Sequence, residues 1–232
     1  MTAAAPSSLY DTAVLTGDQL ACRRGGRLVF ARLSFEVGNS QALVLRGNNG
    51  SGKTTLMRLI AGLGRATGGA LKWNGVPVDQ DTEAHGRRLR YAGHLDGIKP
   101  AFSVRENVAF WAEVWNAPPD DVDKALAAFG LTHLSGLPAR LLSAGQRHRV
   151  ALSRIVLGRA PLWLLDEPAN TLDDTALAAL SRVIADHRRK GGMVVMASHG
   201  ESLIDDAAFL PLDEFARHAN AIEARDPEAS AA

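Results

Sequence analysis

The chain has 232 residues, 46% of them hydrophobic and 22% charged, with 26 basic against 25 acidic residues and a formal charge of +1. That length suits one substantial domain, and the charge balance excludes both an electrostatic nucleic-acid binder and a charged, disordered tail protein. Cys22 is the single cysteine, which excludes a disulfide framework or a Cys-rich zinc module and fits a reducing compartment. No apolar run reaches the roughly eighteen residues that a membrane helix requires. Residues 1–12 are small and polar, lack the basic and apolar regions of a secretory signal, and are predicted to be disordered. Only five of the basic residues are lysines, so a lysine in a special place carries information.

From residue 13 to 37 the pattern alternates and is rich in β-branched and aromatic residues, predicting antiparallel strands. Residues 42–45 form a short continuous apolar run, as in a strand buried on both faces. A glycine-rich stretch follows, then Leu56, Leu59, Ile60 and Leu63 at helical spacing. Asn74-Gly75 marks a hairpin. Helical patterns dominate from about Ser103, where Ser103 and Glu106 have capping-box spacing, to Leu157. Strands are predicted at 162–165 and 193–197, separated by a helix over 173–190. A last apolar run at 207–212 precedes an Ala-rich, polar tail over 213–232.

Gly47, Asn48, Asn49, Gly50, Ser51, Gly52, Lys53 and Thr54, followed by Thr55, fit G-x4-G-K-[ST] between a predicted strand and a predicted helix, the context that a P-loop requires. Glycines let consecutive backbone N–H groups turn toward phosphate oxygens, and the helix adds its positive end. Lys53 is then placed to reach the β and γ phosphates of ATP, and Thr54 to ligate Mg2+. Asp166 and Glu167 end the strand at 162–165, at the edge where open α/β sheets bind ligands. Asp166 is the second expected metal residue, acting through water, and Glu167 the group that orients or deprotonates the attacking water. An acidic turn is the plainer reading of that pair, and the P-loop weighs against it. The expected fold is α/β: a P-loop NTPase core with a parallel sheet and flanking helices, and an antiparallel β subdomain. Residues 13–212 form one domain, with a helical subdomain inserted at about 95–158.

Ser143, Ala144, Gly145 and Gln146 follow Leu142 and open an Arg-rich helix. Ser143 reads at the least as an N-cap. With the P-loop before it and Asp166 after it, the chain from about residue 20 to 212 resembles the nucleotide-binding subunits of ABC transporters. Their signature usually reads L-S-G-G-Q, and Ala144 here replaces its first glycine. The resemblance implies that Ser143, Gly145 and their neighbours close over ATP held by a second copy, so that ATP joins a homodimer. It also puts Asp173 in the D-loop and His199 at the switch histidine.

Two positions depart from the usual pattern. Arg24 stands where most members stack an aromatic ring on adenine; a guanidinium plane can stack on a base, or Arg23, Arg24 and Arg27 form a solvated basic face. His94 occupies the position of the usual glutamine, bringing a titratable group to a catalytic slot. These departures narrow the resemblance. Cys22-Arg23-Arg24-Gly25-Gly26-Arg27, Gly93-His94 with Gly97-Ile98-Lys99, Arg105-Glu106-Asn107 and the signature together are similar to the ATP-binding subunits of cytochrome c maturation systems, the haem exporter ATPases.

That similarity implies a translocase ATPase using ATP and Mg2+, peripheral on the cytoplasmic face of the inner membrane and partnered by integral membrane subunits of the cytochrome c maturation complex. The complex would serve haem export or haem delivery. No nucleic-acid partner and no direct haem binding by this chain are expected, since there is no C-x-x-C-H site and the histidines are scattered. An ATPase of the iron–sulfur assembly type, or the corresponding subunit of another exporter, is the alternative. Val104, Val108, Trp111 and Trp115 form an apolar stripe at helical spacing. They pack the helical subdomain's own core, or one tryptophan meets a membrane subunit.

Overall fold

A computed structural model describes residues 8–200 and 203–225. In chain order the elements are β1 (Val14–Arg24), β2 (Arg27–Gly38), β3 (Ala42–Arg46), α1 (Lys53–Ile60), β4 (Gly68–Trp73), β5 (Val76–Pro77), α2 (Thr82–Arg87), β6 (Leu89–Ala92), α3 (Val104–Val114), α4 (Asp120–Ala128), α5 (Ala144–Ser153), β7 (Leu162–Asp166), α6 (Asp174–Arg189), β8 (Met193–Ala197), β9 (Ala208–Pro211) and α7 (Leu212–Arg225).

Two sheets result. The antiparallel one has the order β2-β1-β4-β5, and the parallel one has the order β6-β7-β8-β3-β9. Strands β3, β7 and β8 are buried along almost their whole length, and their period-2 alternation divides their side chains between two cores. Leu43, Leu45, Leu162, Leu164 and Val195 face α1 and the antiparallel sheet. Val44, Trp163, Leu165, Val194 and Met196 face the helical side, with Val104, Val108, Leu126 and Val150. The register pairs Leu45 with Ala197 and Asp166 with Ala197, so β3, β7 and β8 end together and the segments after them emerge along one edge.

Both serines expected at helix starts are caps. Ser103 and Ser143 each accept from the backbone N–H of the third helical residue, and Glu106 and Gln146 each reach back to the cap N–H. Asn107 is buried and knits the preceding loop, accepting from Lys99 N–H at 2.8 Å and donating to the carbonyls of Lys99 and Ser103. The side chains of Trp111 and Trp115 are half-buried against the helical core. Their rings are 4.9 Å apart, and the guanidinium groups of Arg154 and Arg90 lie over them at 5.2 and 4.2 Å.

The segment expected to be a polar tail is different. Residues 213–225 belong to α7, which packs against β2 with Leu212 and Ala219 fully buried. The reason is a short apolar stripe, Leu212, Phe215 and Ala219, in an Ala-rich sequence of high helix propensity. Residues 226–232 lie outside the described residues, as do residues 1–7 of the expected disordered terminus. Residues 8–12 run beside the end of α6, where Leu9 N–H donates to the Lys190 carbonyl at 2.8 Å. Among the described residues, no helix is long and apolar enough to cross a membrane.

Candidate active site

The loop from Gly47 to Gly52 joins β3 to α1. Gly52 sits at the N-cap of α1 with φ 102°, and α1 has no side-chain cap, so its first N–H groups face the cleft. A Cβ at Gly52 would lie 2.7 Å from Val29 Cγ1; glycine is required there both for the backbone conformation and for the approach to β2. Ser51 Oγ is buried and has no hydrogen-bond partner among the described residues, a donor held inside the glycine-rich loop. Asp213, in the first turn of α7, accepts from Asn48 N–H at 3.1 Å.

Lys53 is 6% exposed. Its Nζ donates to the carbonyls of Gly47 at 2.7 Å and Asn48 at 3.2 Å, and lies 3.4 Å from His199 Nδ1. Burial draws its pKa down, opposed by the charges of Glu167, Asp166 and Asp213. Asp166 is 4% exposed. Burial pushes its carboxyl up, while hydrogen bonds from the Thr54 and Tyr91 hydroxyls favour its charged form. Tyr91 itself is pushed up to about 12, first by burial and then by Asp166, so it stays a neutral donor, 3.4 Å from Asp166 Oδ2.

Glu167 turns the chain out of β7 with φ 55°, a left-handed conformation that is strained for a non-glycine residue. Its N–H is secured to the Ala197 carbonyl at 3.0 Å. One carboxylate oxygen is 2.6 Å from His199 Nε2 and the other accepts from Asn170 Nδ2 at 2.8 Å. His199 thus stands between Lys53 and Glu167: with the proton on Nε2 it donates to the carboxylate and accepts from the ammonium at Nδ1.

Arg24, Arg27 and Val29 from the β1–β2 hairpin form one wall of the cleft, and Ala216 and Asn220 of α7 form another, with Asn49, Gly50, Lys53, Thr54 and Thr55 at its base and Glu167 at its rim. His94 is exposed just past β6; it makes no hydrogen bond among the described residues, but it lies close enough to Asp166 to favour the ionised form of that carboxyl. The signature residues lie elsewhere. Ser143, Gly145 and Gln146 line a separate small cleft with Thr171, Leu172 and Asp173. There a Cβ at Gly145 would come within 2.9 Å of the Thr171 carbonyl, whereas Ala144 fits in the first turn of α5. Asp173 caps α6, accepting from Ala176 N–H at 2.8 Å.

The structure therefore brings Arg24, the P-loop, Asp166, Glu167 and His199 together, and sets the signature residues and Asp173 apart from them. Sequence reasoning missed Tyr91, Asp213, Ala216 and Asn220. The apolar stripe of α7 was a signal for the last three; Tyr91 had none.

This P-loop α/β core, with its antiparallel sheet, inserted helices and signature-headed α5, is the ATP-binding domain of an ABC-type ATPase. The ABC transporter family model matches residues 30–170. The chain is 50% identical over 204 residues to the cytochrome c biogenesis ATP-binding export protein CcmA of Rhodospirillum rubrum, covering 88% of each. It is 42% identical over 205 residues to the protein of that name from Cupriavidus necator, covering 88% of this chain and 89% of that one. It therefore belongs to the CcmA family of ABC transporter ATP-binding proteins, and the iron–sulfur assembly alternative falls away. A putative ABC transporter ATP-binding protein from Pyrococcus furiosus has the same fold, with a TM-score of 0.75 over 87% of this chain and 98% of that chain at 20% identity.

Proposed function

We propose that two copies of this chain hydrolyse ATP between them and so drive the membrane subunits of a cytochrome c maturation complex in haem export or delivery. The observation that carries the hydrolytic part is the linked row Lys53, His199 and Glu167 beside the P-loop. The P-loop N–H groups and Ser51 Oγ bind the phosphates, and Lys53 exchanges its carbonyl partners for phosphate oxygens. Arg24 stacks on adenine across from α7. Ser143 and Gly145 of a second copy close the open side of the γ-phosphate through the N-terminus of α5, and Asp173 adjoins that contact.

The Thr54 hydroxyl and the buried Asp166 carboxylate are hard oxygen donors already in contact, a set that fits Mg2+. When bound, that ion neutralises charge on the β and γ phosphates. Glu167 accepts the proton of the attacking water as its oxygen bonds to the γ-phosphorus and the bond to the ADP oxygen breaks. His199 holds the glutamate carboxylate in place, and His94 faces the same centre from the β6 side.

The membrane partners dock beside His94. Leu95, the residue after His94, is 83% exposed, and Leu141 is 64% exposed beside Arg140, whose N–H donates to the Pro100 carbonyl; Phe102 and Phe110 share the Lys99 ammonium at 5.5 Å each, and apolar exposure of this kind marks interfaces. Phe110, rather than Trp111 or Trp115, is the exposed aromatic of α3. The chain would then sit peripherally on the cytoplasmic face of the inner membrane.

Glu167→Gln tests the chemistry. Steady-state phosphate release should fall by at least about a hundredfold, while ATP stays bound and size-exclusion chromatography with ATP shows a dimer. Release at the parent rate overturns the role given to Glu167.

A further inference from the structure

His148 lies four residues beyond Ala144 on α5, so the two side chains share one face of that helix. It contacts two segments of the hydrolytic site at once. Nδ1 is 2.8 Å from Asp96 Oδ1, two residues past His94, and Nε2 is 3.1 Å from the carbonyl oxygen of Pro168, the residue after Glu167. Both ring nitrogens are thus within hydrogen-bond distance of an oxygen, the carboxylate on one side and the carbonyl on the other, and the nitrogen that carries the proton donates. The contact is sheltered: the His148 side chain is 12% exposed and that of Asp96 28%, which strengthens each bond relative to one in water.

The same helix grips the His94 segment a second time. Arg154, at the C-cap of α5, donates Nη2 to the Asp96 carbonyl at 2.7 Å and Nη1 to the Gly97 carbonyl at 3.5 Å. Its guanidinium is buried over Trp111. Asp96 is therefore held to α5 by its carbonyl and by its side chain. Pro168 is the other point of attachment, and it adjoins a residue in a strained conformation. Glu167 at φ 55° keeps that geometry only while its neighbours hold it, and the bond from His148 to the next carbonyl is one of the restraints.

We propose that His148 is a positioning residue that ties the Glu167–Pro168 turn and the His94 segment to α5, so that displacement of the signature helix moves both. The proposal deepens the hydrolytic reading and rests on it. Closure of the α5 N-terminus on a second copy's ATP would then be felt at the glutamate of its own chain through one side chain, not through the sheet. His148 touches no nucleotide; it acts through Pro168 and Asp96.

Steady-state ATP hydrolysis by the full chain tests it, with Glu167→Gln measured alongside. His148→Ala should lower kcat roughly tenfold and leave KM for ATP within about twofold, the signature of an interaction used in the transition state and not in ground-state binding. His148→Gln keeps bulk and one donor group and should fall between; it also guards against misfolding of the alanine variant, as does unchanged ATP binding by titration. Asp96→Ala should lower kcat in the same direction, and the double variant should be no slower than His148→Ala, because the two groups act as one unit. A His148→Ala kcat equal to the parent's, a loss carried by KM, or additive losses with Asp96→Ala overturns the tether. Glu167→Gln at full rate overturns the general-base reading instead, whereas an unimpaired His148→Ala beside an inactive Glu167→Gln overturns the tether alone.

Discussion

Arg24 and Tyr91 show what a single residue reveals and hides. Arg24 could be singled out because its place relative to the β2 residues Leu33, Ser34 and Phe35 is a matter of counting, and it does line the cleft opposite the P-loop. Tyr91 could not. Its hydroxyl reaches Asp166 because the parallel register sets Tyr91 opposite Leu164, and Asp166, two residues on, shares that face. For Arg24 the expectation is specific: Arg24→Ala should weaken ATP binding by about 1 kcal/mol, the scale of a guanidinium–ring contact, and leave tripolyphosphate binding unchanged. Calorimetric titration of both ligands decides it. Equal ATP affinity in parent and variant makes Arg24 part of a solvated basic face.

At the scale of the element, α3 and α5 open with the same capping box but have different work. In α5 the Ser143 oxygen is committed as an acceptor from Gln146 N–H at 3.2 Å, which leaves its hydroxyl hydrogen free to donate to a phosphate. Ser103 faces no part of the nucleotide cleft. Ser103→Ala and Ser143→Ala should each cost about 1 kcal/mol of stability in denaturant titrations, whereas only Ser143→Ala should lower ATP turnover. Equal turnover in the two variants would reduce Ser143 to a cap. Both boxes were readable because a capping box is four consecutive residues. Helix α7 was readable only in its stripe; its partner, the back of β2, is about two hundred residues away in sequence, so nothing local announced a wall of the site.

For the whole molecule, the joint of α6, β7, β8 and the first described residues turns on His187. Its ring stacks on Trp163 with centroids 3.8 Å apart, Nε2 is 3.2 Å from the Met193 carbonyl, and Nδ1 is 3.5 Å from the Tyr10 hydroxyl. Burial, ahead of all else, lowers its pKa from 6.5 to about 4. The unfolded chain therefore takes up this proton at a higher pH than the folded one. The stability linked to His187 is complete above pH 6.5, is lost as pH falls from there toward 4, and is on the order of 3 kcal/mol. Urea midpoints compared at about pH 7.5 and about pH 5 should show the larger part of this loss. His187→Phe, which keeps the stack, should be less stable near neutrality and show a shallower decline. An unchanged slope in that variant assigns the acid sensitivity to other groups.

What the sequence alone determined is what neighbouring residues encode. The P-loop spacing, the buried strands, the two capping boxes and the turn at Asn74-Gly75 each depend on backbone geometry over a few residues, and local chemistry specifies them. Only the tertiary structure decided which ends meet. The shared edge of β3, β7 and β8, the seating of α7 against β2, the hydroxyl of Tyr91 on Asp166 and the bridge from His148 to Asp96 and Pro168 all join segments distant in the chain. Strand order, register and helix docking bring them together, and those are set by the burial of two cores at once, which no short stretch of sequence contains.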